Sequence, residues 1–254
     1  DDDKLKRLGR IHSAAEAEAA VKSAQDAGYA NLNLDLMYAL PAQTLDGALA
    51  DVERAIALAP THLSHYQLTL APNTAFAANP PPLPDDDHAW AMQEACEARL
   101  AEAGYGQYEI SAYAQPGRRC AHNLNYWQFG DYLGIGAGAH GKLSDAAAGS
   151  VRRRWKTRHP RAYMEAAGGA ARIGGDNTVG ADELPFEYML NALRLTDGVP
   201  ATDFTERTGL PPERIAAQLA AARRRGWLDD APGQLRTTAL GQRFLNDAIA
   251  GFLD

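Results

Sequence analysis

Two short segments in which polar and apolar side chains alternate do most to constrain what this chain can fold into. In the first, Asn31, Asn33 and Asp35 interleave with Leu32, Leu34 and Leu36; in the second, His65, Gln67 and Thr69 interleave with Tyr66, Leu68 and Leu70. A period of two marks a strand with one wet and one dry face. Parallel strands covered on both faces are normally apolar throughout, so these two are expected to pack leucines beneath helices and to turn their polar faces to water. The wet space is the lumen of a curled sheet, or bulk solvent beside an open one.

Helix signals alternate with these strands. Ser13-Ala14-Ala15-Glu16 reads as a capping box opening an alanine-rich helix that Gly28 closes. A second helix is predicted from about Thr44 to Pro60. A third is capped by Asp85-Asp86-Asp87, ends at Gly104 and leads to a strand near 107–111. Strand and helix in alternation imply an α/β fold with a parallel sheet and outer helices. Pro80-Pro81-Pro82 is expected to be a stiff connection. The stretch 112–160 is irregular, glycine-bearing and aromatic, and 166–183 reads as a linker. Beyond it come helices near 184–195, 201–208 and 212–225, a hairpin-like stretch from Gly226 to Arg236, and a last helix from about Thr238. That order predicts a small winged-helix-like domain, with DNA binding, docking and a structural role all open.

Charge narrows the partners. The 254 residues carry a net charge of −7, which disfavours nucleic acid because phosphate binding needs a positive surface. The run Arg152-Arg153-Arg154-Trp155-Lys156-Thr157-Arg158 is the basic exception. No run approaches the roughly 20 apolar residues of a membrane span. The two cysteines, Cys96 and Cys120, make neither a disulfide framework nor a metal site. Cys96 shares helical spacing with Ala89, Met92 and Leu100 and is expected in a core; Cys120 lies in a polar loop beside Arg118 and Arg119.

Three segments carry chemistry. Asp35 lies near the C-terminal end of a strand read over 31–37, in the segment Asn31 to Thr44, directly before a loop, where such folds place binding groups. His122-Asn123-Leu124-Asn125-Tyr126-Trp127 joins a ligand or proton carrier to flat aromatic surfaces. Gly134-Ile135-Gly136-Ala137-Gly138-Ala139-His140 has glycine at every second position with no helix following, so it is not a dinucleotide-binding turn; its glycines are expected to let the backbone approach a bulky ligand.

Together with Lys4 to His12, Tyr66-Gln67-Leu68, Leu83 to Asp87, Tyr108 to Ala114 and Lys156 to Pro160, these segments resemble the HemW-type, heme-chaperone branch of the oxygen-independent coproporphyrinogen III oxidase family. The resemblance covers nearly the whole chain and implies the second half of a partial (β/α) radical S-adenosylmethionine (SAM) barrel over 1–165, a linker over 166–183 and the family's C-terminal domain over 184–254. It implies SAM contacts at Arg10 and Asp35, contacts to a second SAM at Met37, Thr69 and His140, a heme site at His122, Tyr126 and Trp127, transfer of heme to an accepting protein, and a cytoplasmic location. On the residues alone, Arg10 also reads as a surface helix arginine, Asp35 as a loop-capping acid and His122 as a loop anchor. Two rival functions remain: oxidation of coproporphyrinogen III, and a plain interaction module recruited through the C-terminal domain.

The family's radical chemistry depends on a 4Fe-4S cluster held by a Cys-x3-Cys-x2-Cys loop. Here the cysteines lie 24 positions apart (96 to 120), so that loop is expected to precede Asp1. Anaerobic reconstitution followed by iron and sulfide analysis is therefore expected to leave this 254-residue chain colourless; stoichiometric cluster in it would overturn the reading.

Overall fold

The computed structural model describes residues 1–72 and 74–253, which divide into two compact units, 1–120 and 121–254. In the first, α1 (Asp2–Arg7) and α2 (Ala14–Asp26) precede β1 (Asn33–Tyr38), α3 (Leu45–Ala57), β2 (His62–Gln67), α4 (Ala75–Ala78), α5 (Asp86–Glu102), β3 (Gly106–Glu109) and β4 (Ala112–Ala114). Local chemistry sets the helix starts. Ser13 and Glu16 form the capping box on α2, Thr44 accepts from the Gly47 N–H at 3.1 Å on α3, and Asp85 accepts from the His88 N–H at 2.9 Å on α5.

β1 and β2 pair in parallel, and the sheet runs β1-β2-β4-β3. The far half is antiparallel because only Ile110 and Ser111 join β3 to β4, and so short a link permits only a hairpin return. The four strands make an open sheet. One of its faces packs on α3 and α5: Tyr38 and Leu63 meet Val52 and Ala55 from α3 and Ala89, Met92, Cys96 and Leu100 from α5, with Leu34 and Leu36 half-buried at the margin. Burial of such side chains contributes about 1.5–3 kcal/mol each, so this layer holds the unit together. Cys96 is a buried core thiol, as its spacing predicted.

The second strand differs from expectation by one residue of phase. Asn33, Asp35 and Met37 lie opposite His62, Ser64 and Tyr66, whereas Leu36 and Tyr38 lie opposite His65 and Gln67. His65 therefore shares the helix-side face with Leu63, and Gln67 does not share the face of Asp35. Thr69 lies beyond the end of β2 and is exposed. His65 tolerates burial because its ring stacks on Tyr38, with centroids 4.7 Å apart, and meets Tyr113 edge-on at 6.3 Å.

In the second unit, α6 (Ala121–Trp127) leads to β5 (His140–Asp145), β6 (Ser150–Lys156), α7 (Pro160–Glu165), a 3-10 turn (Ala170–Arg172) and β7 (Ile173–Val179). These strands form an antiparallel sheet in the order β5-β6-β7. The stretch expected to be irregular thus holds α6 and two paired strands. β7 lies inside the glycine-rich segment read as a linker, and its pairing with β6 explains the glycines: a Cβ on Gly175 would come within 1.9 Å of the Trp155 ring. Then follow α8 (Leu184–Ala192), β8 (Val199–Pro200), α9 (Thr202–Thr208), α10 (Glu213–Arg224), β9 (Gln234–Leu235), α11 (Ala239–Arg243) and α12 (Leu245–Ala250). β8 pairs antiparallel with β9, and Leu228 bridges to Thr237, giving the helix, helix and wing order predicted. Phe129, Tyr188 and Phe204 form the aromatic centre, each successive pair of rings 5.4 Å apart.

His65 yields a pH test. Its Nδ1 has no hydrogen-bond partner among the described residues, and burial pushes its pKa from 6.5 down to about 4. Between those values the unfolded chain takes up a proton that the folded one refuses, so stability falls as pH drops from about 6.5 toward 4. His65→Phe should flatten this decline, whose full size is about 3 kcal/mol. Urea melts across that range check it; parallel losses in both proteins would show that His65 is not the group responsible.

Candidate functional site

The C-terminal end of β1 builds the first candidate site. The loop that follows holds two alanines, Ala39 and Ala42, at φ of 53° and 54°. This left-handed region costs a non-glycine residue roughly 1–3 kcal/mol. Gln43 holds the turn: buried, it accepts from the Leu40 N–H at 3.2 Å and donates to Asp51 at 3.2 Å. Lys4 ties α1 onto the same loop through the carbonyls of Pro41 at 3.2 Å and Ala42 at 2.8 Å. Beneath lies a cavity of about 380 Å³ lined in part by Arg10, Asp35, Met37, Tyr66, His12 and Leu34.

Three of the residues singled out from the sequence thus meet around one cavity. Arg10 is exposed in the turn between α1 and α2, and Asp35 and Met37 share the face of β1 away from the helices. Tyr66 joins them from β2. Burial raises its phenol pKa first, the Asp35 charge raises it further, and the Arg10 charge opposes both. Thr69 is not among the cavity's lining residues. Asp35 Oδ1 accepts from the Asn33 amide at 2.8 Å, while Oδ2 has no hydrogen-bond partner among the described residues. An acid with one oxygen fixed and one free, an arginine, a phenol and apolar walls suit a ligand that is part cationic or hydroxylated and part apolar, with a carboxylate of its own. SAM has that make-up.

The second candidate group lies within the second unit. His122 and Tyr126, one helical turn apart on α6, meet edge-on with ring centroids 4.7 Å apart, and Tyr126 leans on Tyr132 at 4.4 Å. His122 is exposed and Tyr126 half-buried. Trp127 turns to another side of the helix, where the Arg194 guanidinium lies 4.3 Å over its ring and its indole N–H is buried with no hydrogen-bond partner among the described residues. The segment after α6 is clamped to β5 by buried Lys142, which donates to Phe129 O at 2.9 Å, Asp131 at 3.2 Å and Ser144 at 2.9 Å. His140 opens β5 and stacks on Trp155 at 6.0 Å. The glycine run before it serves internal packing: a Cβ on Gly134 would come within 2.4 Å of the His140 carbonyl, and the Gly136 N–H donates to Tyr163 Oη at 3.3 Å.

Residues 179–244 match the HemN C-terminal domain family. Heme chaperone HemW of Escherichia coli is 47% identical over 252 residues, 99% of this chain and 65% of that protein. The chain is similar to HemW over nearly its whole length. Heme chaperone HemW of Haemophilus influenzae is 46% identical over 253 residues, covering 100% of this chain and 65% of the relative. The chain thus spans about 65% of the length of the curated HemW relatives it matches. A solved structure described as "Coproporphyrinogen III oxidase (HemN) from Escherichia coli is a Radical SAM enzyme" matches with a TM-score of 0.78, covering 99% of this chain and 61% of that one. At 17% identity it shows a shared fold alone.

Cys96 lies in the core and Cys120 is half-buried. These two thiols do not fit a cluster that needs three or four thiolates. No group of three potential metal ligands occurs among the described residues, and none of their helices is long and apolar enough to cross a membrane. Tyr66 and His62 escaped the reading of the sequence as site residues. The one-residue phase difference explains both, because it exchanges the face of β2 that meets Asp35.

Proposed function

We propose that this chain is the SAM- and heme-handling portion of a heme chaperone, which binds heme and passes it to an accepting protein. The convergence of Arg10 and Asp35 on one cavity carries the SAM half of this reading; Met37, expected at a second SAM, lines the same cavity. Arg10 pairs with the SAM carboxylate, Asp35 Oδ2 accepts from its ribose or ammonium, and Tyr66 adds a phenol beside them. The family's radical chemistry is SAM's to supply when bound with a 4Fe-4S cluster held elsewhere in the whole protein; the residues here bind and orient it.

Heme is cargo, taken at His122, Tyr126 and Trp127. His122 is exposed and free to approach iron, and Tyr126 and Tyr132, their rings tilted 55° to each other, offer aromatic faces against which a porphyrin packs. Trp127, capped by Arg194, supports that surface from the neighbouring side of α6. The names of the relatives, Heme chaperone HemW, support this over oxidation of coproporphyrinogen III, for which the support is a likeness of fold at 17% identity.

Two titrations of the full-length protein test the two halves separately. Asp35→Ala should weaken SAM binding about ten- to a hundredfold, the worth of a charged hydrogen bond in a ligand site, and leave heme binding intact. Unchanged SAM affinity removes Asp35 from the site. His122→Ala should shift the Soret band of bound heme at modest cost in affinity, whereas Trp127→Ala should cost affinity and leave the band in place. A His122 variant with wild-type spectrum and affinity would make that histidine a loop anchor.

A further inference from the structure

Asp35 does not meet the cavity alone. It ends a line of side chains that runs across three strands on the face of the sheet away from α3 and α5. The Asn33 amide donates to Asp35 Oδ1 at 2.8 Å. Asn33 Oδ1 lies 2.6 Å from His62 Nδ1 and accepts from Ser64 Oγ at 3.1 Å. His62 Nε2 lies 2.8 Å from Tyr108 Oη. The parallel register makes the line possible, because Asn33 lies opposite His62 and Asp35 opposite Ser64.

The direction of every bond follows from the Asp35 end. A carboxylate only accepts, so the Asn33 group facing it is the NH2 and the group facing His62 is the oxygen. Asn33 Oδ1 then requires a donor, which makes His62 Nδ1 the protonated nitrogen. His62 Nε2 is left as an acceptor, and Tyr108 donates to it. Burial keeps the ring neutral: it lowers the His62 pKa, against the opposing charges of Glu109 and Asp35, and Arg119 lies over the Tyr108 ring at 5.6 Å. His62 and Tyr108 are both almost fully buried, at 4% and 0% exposure, so the far end of the line is rigid while Asn33 and Asp35 reach solvent. Hydrogen bonds aligned head to tail reinforce one another, and here each donor points toward the carboxylate.

We propose that His62, held as its Nδ1–H tautomer by Tyr108, is a positioning residue that orients Asp35 through Asn33 so that Asp35 Oδ2 faces the cavity ready for SAM. It touches no ligand itself. Its effect is to remove the rotational freedom that the exposed Asp35 side chain would otherwise lose on binding, which is how a supporting hydrogen bond raises affinity. This rests on the SAM reading of Asp35 given above.

Two substitutions at one position separate the proposal from a structural role. Asparagine places its amide where Nδ1 lies and keeps the donor to Asn33; glutamine reaches the Nε2 position, keeps Tyr108 and loses that donor. SAM binding to the full-length protein, measured by equilibrium dialysis, is expected to weaken about five- to tenfold in His62→Gln, the scale of one neutral hydrogen bond, and to stay within about twofold of wild type in His62→Asn. Thermal melts of both report any general loss of structure, and if His62→Gln does not fold, Asn33→Ala replaces it with the same expected loss. Equal affinities in the two His62 variants, whether both intact or both weakened, overturn the proposal. So does an imidazole nitrogen spectrum of the wild type that places the proton on Nε2. Asp35→Ala keeps the two readings apart: if it binds SAM normally the site itself is wrong, and if it loses SAM while His62→Gln does not, only the role of His62 falls.

Discussion

The parallel pairing of β1 with β2 is the constraint on which the first unit depends. It aligns two strands so that residues opposite one another share a face, and side chains therefore sort into a dry set and a wet set across both strands at once. Leu63, Tyr38 and His65 go beneath α3 and α5; Asp35, Asn33, His62, Ser64 and Tyr66 go to the other side. The packed face supplies stability, and the opposite face carries the polar side chains. A slip of one residue in β1 would bury Asp35, and one in β2 would expose Leu63.

The existence and direction of these strands were legible in the amino-acid sequence, because leucine against asparagine and aspartate is an unambiguous contrast. The phase of β2 was not. Its sequence His62-Leu63-Ser64-His65-Tyr66-Gln67 sets two histidines three apart, on opposite faces, and hydropathy assigns both to water. What distinguishes them is three-dimensional. His65 finds the rings of Tyr38 and Tyr113 and is buried neutral, while His62 finds Asn33 and Tyr108 and is held by hydrogen bonds. An imidazole is apolar enough for the first and polar enough for the second, so only its neighbours decide.

The second unit was misread for a related reason. Glycine-rich segments such as Ile173-Gly174-Gly175 resemble linkers when composition alone is weighed. Here glycine is the condition for a strand, because the Trp155 ring lies across the backbone where a side chain at 175 would stand. Likewise Gly134 is demanded by the backbone of His140, so the alternating glycines of that run are explained in part by close approach within the chain. The helix, helix and wing order near the C-terminus was legible because caps and turn residues mark it locally: Thr238 caps α11, and Gly209 ends α9 with φ of 73°.

The arrangement on α6 limits how the proposed heme site meets a flat ligand. Residues 122 and 126 are one turn apart and share a face, whereas 127 is rotated by about 100° from 126. The six-residue aromatic motif therefore cannot present His122, Tyr126 and Trp127 as one continuous plane. The structure resolves the conflict by giving Tyr126 a second partner, Tyr132, on the His122 side, and by covering Trp127 with Arg194. Lys142 makes this division firm, since its three hydrogen bonds hold 129–131 against β5 and so fix where Tyr132 begins. On the His122 side of α6 the rings of Tyr126 and Tyr132 lie 4.4 Å apart and tilted, and Trp127 packs under Arg194 on another side. In a helix of seven residues, too short to be stable alone, that anchoring is what lets the exposed face hold a fixed geometry.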